Sequence, residues 1–120
     1  MSKARDLARL TELAALTLDH RLGQMRAASQ ALERSRDQLA AINEAGKPAD
    51  LPLVAGARAE WAYRRWADQR RSELNLVIAR QTADWLTARD EARTAFGRRE
   101  ALQGLALLVK DRPSYGDASG

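Results

Sequence analysis

The sequence contains no cysteine and only one histidine, one phenylalanine and three prolines in 120 residues. Without cysteine there is no disulfide and no thiolate metal site, a usage that fits a reducing compartment. His20 has no second histidine with which to share a metal, and is predicted to be a solvated polar position beside an apolar seam. Aromatic residues make up 5% of the chain and strand formers are sparse, which argues against a sheet protein. No apolar run approaches the ~20 residues of a membrane span, and Asp6, Arg9 and Glu12 interrupt the stretch that a signal peptide would need. These absences predict a soluble cytoplasmic protein.

Catalytic signatures are missing as well. There is no Walker loop, no Gly-x-Gly-x-x-Gly and no serine flanked by glycines as a nucleophile elbow. Asp19, Asp68, Asp84 and Glu91 are spread along helix faces, with no close pair that would shift one carboxylate for acid–base work. The expectation is a chain that is not an enzyme, with no cofactor and no metal.

Alanine, leucine and charge remain: 45% hydrophobic and 30% charged residues, the composition of long helices and coiled coils. From Ser2 to Ala45, Leu18, Met25, Leu32 and Leu39 recur every seven positions, with Leu7, Leu10, Ala14, Leu22, Ala28 and Ile42 close to the same face. That is a heptad seam. Ser2 is an N-cap candidate, and Gly46-Lys47-Pro48 stops the helix near Ala45. A second helix is expected over about 53–110, because Tyr63, Ala67, Leu74, Ile78, Trp85, Ala88, Ala92 and Ala95 form one stripe. Residues 111–120, with Pro113, two glycines and two serines, are expected to be a flexible tail.

The fold predicted is all-α, a two-helix antiparallel coiled-coil hairpin with a longer second helix and a turn at about 46–52. A turn centred near Pro48 would pair Ile42 with Val54, Leu39 with Ala57, Leu22 with Leu74, Leu18 with Ile78, Leu10 or Thr11 with Trp85, and Leu7 with Ala88. Val54, Ala57 and Trp61 lie off the main stripe. Either the regular helix begins after Gly56, or an apolar patch faces outward near the turn. The same register leaves the end of the second helix as an overhang of about 15 residues, or ~22 Å at 1.5 Å per residue. In it Phe96, Leu102, Leu105, Leu107, Leu108 and Val109 point in nearly every direction. A helix apolar all round needs burial. It comes from a partner, from copies associating through this end, or from the first helix sliding further along.

The segment from Trp61 to Arg71 interleaves aromatics with arginines, a pattern that can bind single-stranded nucleic acid. With Tyr63 and Trp66 near the seam, core plus solvated flank is the better reading, and no nucleic-acid motif accompanies the net charge of +4. Trp61 falls outside the seam. Gly97 and Gly104, seven apart, offer another backbone a close approach or are simply exposed.

In its small size, its basic Arg/Ala/Leu/Gln-rich helices, a seam starting almost at residue 1 and a closing Arg98-Arg99-Glu100-Ala101-Leu102 helix end, the chain resembles the FliJ family of flagellar and type III secretion export proteins. The resemblance implies a non-catalytic stalk, similar to the coiled coil of a rotary ATPase gamma subunit. Such a stalk inserts its end into a hexameric export ATPase, and also binds export chaperones and the export gate at the periphery of a membrane apparatus. On that expectation Phe96, Leu102, Leu105, Leu108 and Val109 make the partner contact, Arg98 and Arg99 meet acidic groups at the rim, and Trp61 is a further exposed contact. The chain itself is expected to be a monomer or weak homo-oligomer. The alternative is a coiled-coil dimerisation or scaffold module, with nucleic-acid binding behind it.

Overall fold

The computed structural model describes residues 2–45 and 53–111. They form two helices, α1 (Lys3–Glu44) and α2 (Leu53–Asp111), with no strand among the described residues. The fold is the expected all-α antiparallel hairpin with a longer second helix. The expected turn and residues 112–120 of the expected tail lie outside the described residues, and Asp111 closes α2.

α1 starts where its sequence supplies a cap. The Arg5 amide donates to Ser2 Oγ at 3.1 Å, and Asp6 in the first turn complements the positive helix end. Leu7, Thr11, Ala14, Leu18, Met25, Ala28, Leu32, Ser35, Leu39 and Ile42 are all buried or half-buried, so the seven-residue repeat is the packed face of α1. On α2 the packed positions follow the expected stripe from Tyr63 to Ala95 and continue through Leu102, Ala106 and Val109.

The described residues fall into two compact units, each built from both helices: residues 2–25 with 88–111, and residues 26–45 with 53–87. In the second, Ile42, Ala67 and Leu74 form a buried cluster against which Leu39 and Tyr63 pack. Leu74 is 2% exposed. The Tyr63 hydroxyl donates to the Ile42 carbonyl at 2.9 Å, and Arg71 Nε donates to Asn43 Oδ1 at 2.8 Å. In the first, Leu18 is buried, as are three alanines of α2, Ala88, Ala92 and Ala95. Alanine on the packed face permits the close end of the roughly 8–10 Å range of helix separations.

The register differs from the one expected. Arg21, which a turn at Pro48 would set opposite Asn75, bonds to Glu91, sixteen positions further along (91 against 75). Ile42 meets Tyr63 and Ala67, where Val54 was the expected partner. The pairs Leu22–Leu74 and Leu18–Ile78 fall in different units, and Leu10 sits beside Leu102 and not Trp85. The shift is about two heptads. In an antiparallel seam such a shift brings apolar rows against apolar rows again, so apolar matching alone fits either register.

The C-terminal part of α2 is therefore not the overhang expected, because residues 88–111 pack with residues 2–25. The surplus length of α2 lies at its start, where Leu53 precedes Tyr63 by ten positions and Tyr63 already meets Ile42, near the end of α1. α2 is regular from Leu53, which resolves the phase ambiguity in favour of an outward-facing patch: Trp61 is 63% exposed.

Candidate protein-binding site

Two helices bury one seam and leave a groove on either side of it. In the unit of residues 2–25 and 88–111, one groove of about 400 Å³ is lined by Leu10, Leu13, Ala14 and Thr17 of α1 and by Ala95, Arg98, Ala101 and Leu102 of α2. Arg98 is its only charged liner. The Thr17 hydroxyl donates to the Leu13 carbonyl at 2.9 Å, which occupies its polar atom and leaves the groove apolar. Leu105, three and four residues beyond Leu102 and Ala101, continues the α2 wall by helical spacing and is exposed. Arg21 crosses between the helices with its Nη1 2.7 Å from Glu91 Oε2 and 3.1 Å from Gln24 Oε1.

A strict heptad seam is a narrow stripe. Here the apolar sector of α1 runs from the seam residues Leu7, Ala14 and Leu18 to Leu10 and Leu13, and that of α2 from Ala95 and Leu102 to Ala101 and Leu105. That width, about 120–140° at 100° per residue, is what a helix shows when it faces a bundle. A second groove in the same unit, of about 590 Å³, is lined by Ala8, Thr11, Glu12 and Ala15 and by Gln103, Ala106, Leu107 and Lys110. It carries charges of both signs.

The expected contact residues do not gather in one place. Arg98 and Leu102 line the apolar groove, with Leu105 beside them. Val109 is half-buried on the packed stripe, and Arg99 is half-buried with Nη1 3.9 Å from Glu100 Oε1. Phe96 and Leu108 are exposed, the latter at 69%. Phe96 falls beyond the far side of the seam and stays out of the groove, whereas Leu108, seven residues beyond Ala101 and three beyond Leu105, continues the α2 wall outward by helical spacing. Trp61 belongs to the other unit, with the Arg65 guanidinium 5.4 Å from its ring centroid. Leu13 stands outside the expected seam and Leu10 within it, yet both line the groove. Their signal is two leucines three apart beside the strict repeat, which widens an apolar face.

The other unit presents charge. Arg64 pairs with Glu60 at 2.6 Å, Arg71 with Asp68 at 3.0 Å and Arg70 with Glu73 at 3.2 Å. These arginines of the Trp61–Arg71 segment are occupied by carboxylates of their own helix. Trp66, expected near the seam, is 53% exposed, with its ring centroid 5.7 Å from that of Tyr63. It follows Tyr63 by three residues, about 60° short of a full turn, which places it at the edge of the packed face. His20 is exposed. Among the described residues no group of three or more His, Cys, Asp or Glu is placed to hold a metal, and no helix is long and apolar enough to cross a membrane.

No protein-family model matches the chain, and neither the curated proteins nor the solved structures give a match.

Proposed function

We propose that the chain is a non-catalytic helical-hairpin adaptor that takes a helical segment of a protein partner along the groove between Leu10–Leu13 and Leu102–Leu105. What carries this reading is one observation: the exposed Leu10 and Leu13 of α1 and the half-buried Leu102 of α2, with exposed Leu105 beside it, flank a groove whose only charged liner is Arg98. Such a surface suits an apolar helix face, with Arg98 orienting an acidic group at its edge.

In its narrower form the adaptor is an export stalk of the FliJ type, regulating a hexameric export ATPase. Support comes from the hairpin with a longer second helix. An overhanging apolar end does not support it, and the groove replaces that end as the contact. A dimerisation module is the second reading, favoured by the bundle-like width of the apolar sector. The test is stimulation of a purified export ATPase by the full chain and by Leu13→Glu/Leu105→Glu, both positions being half or more exposed. The adaptor reading expects stimulation by the wild type and its loss in the variant. Equal stimulation by both overturns the groove, and none by either overturns the ATPase as partner.

A further inference from the structure

Two of the polar pairs that bridge the helices have a second group of the same charge seven positions back along α2. Arg21 meets Glu91, and seven positions back on α2 stands Asp84, another exposed carboxylate. Asn43 accepts from Arg71, and seven positions back stands the exposed Arg64. The packed stripe keeps the same period, with Ala88 seven before Ala95 and Ala67 seven before Leu74. We propose that α1 and α2 have two registers one heptad apart, and that the hairpin switches between them by sliding about 10 Å, seven residues at roughly 1.5 Å each.

Three observations make the second register accessible. First, α2 is longer by 17 residues (59 against 42), and its surplus lies at its start. Moving α2 by seven positions toward its C-terminus therefore leaves every seam position of α1 opposite helix. Second, the covalent link does not oppose the move. Eight residues, 45–52, separate Glu44 from Leu53, a reach of at most about 29 Å, and the slide brings those two ends closer. Third, few large knobs resist it. The α2 seam presents Ala88, Ala92 and Ala95, Leu74 is the only large buried hydrophobic side chain of α2 among the described residues, and Ser35 occupies a buried position of the α1 seam. Gln81 Oε1 is buried without a hydrogen-bond partner among the described residues, so the observed register is not fully satisfied.

The observed register is the more populated one. Sliding takes Ala106 and Val109 out of the seam and brings Gly56 and Glu60 toward it, an exchange of apolar for glycine and charge. It also bares the apolar C-terminal end of α2. A partner that binds that end selects the slid register, and the hairpin answers as a population shift. The slide follows from the heptad spacing and holds whichever partner is bound.

The absence of cysteine makes the test direct. Spin labels on His20→Cys and Gly104→Cys, both exposed and in one unit, should give a main distance and a minor one longer by about 10 Å. Glu91→Gln removes the ion pair of the observed register and leaves Asp84, so the longer component should grow roughly two- to five-fold, the scale of a surface ion pair. Asp84→Asn should shrink it. A single distance in both the wild type and Glu91→Gln overturns the proposal. A second measurement does not depend on that variant: Thr17→Cys/Ala95→Cys reports the observed register by disulfide formation, and Thr17→Cys/Ala88→Cys the slid one. If the first pair closes and the second stays reduced under the same oxidant, there is no slide.

Discussion

Trp61 and Trp85 lie on one helix in opposite surroundings. The first is exposed with an arginine over its ring, and the second is half-buried on the packed stripe. Iodide should therefore quench a variant retaining only Trp61 readily and one retaining only Trp85 weakly, with Trp66 close to Trp61. Equal quenching of Trp61 and Trp85 would mean that α2 is rotated from the orientation described. Tyr63 ties α2 to Ile42 near the end of α1 through its hydroxyl, in a half-buried setting. Tyr63→Phe should lower stability by about 0.5–1.5 kcal/mol, the net contribution of one such hydrogen bond. Denaturant midpoints measure this, and an unchanged slope shows that the folded state is the same. A loss near zero would mean that the bond is not held in solution.

At the scale of the helices, much is legible in the sequence alone. Leu18 and Leu32 repeat at heptad spacing and, with Ile42 close to the same face, are buried, and the glycine and proline after Ala45 mark the end of α1 within a residue. The face of α2 is readable from Tyr63 to Ala95 for the same reason. Register is not, because a repeat of seven matches itself after each slip, and the interactions that decide it, Arg21 with Glu91 and Tyr63 with Ile42, join residues 70 and 21 positions apart. The groove is half legible: Leu102 and Leu105 stand out as partner residues, whereas their α1 neighbours depend on the register. The surroundings of Gly97 and Gly104 are readable only from the structure. A β-carbon at either would meet nothing within 4 Å, so no other described residue approaches them closely. Each Gly→Ala change should raise stability by about 0.5–1 kcal/mol through helix propensity. Thermal or urea unfolding tests this, and destabilisation would show that another chain packs there.

For the molecule as a whole, the question is whether its exposed leucines are covered by a second copy or left for another protein. Leu10, Leu13 and Leu105 are each about half exposed or more. A stable interface needs about 800 Å² from each partner, and three half-covered leucines, together with Leu102 and the alanines between them, supply only part of that area. The chain is also basic, with a net charge of +4, and the groove's charged liner is an arginine that a two-fold copy would repeat across the interface. Repulsion between like charges opposes such a pair. The adaptor should therefore be a monomer of 13.3 kDa in light scattering at micromolar concentration, and Leu13→Glu/Leu105→Glu should leave that mass and the helicity unchanged. A wild-type mass near twice that value, reduced to the monomer by the double variant, would assign the groove to a second copy and make the chain a dimerisation module.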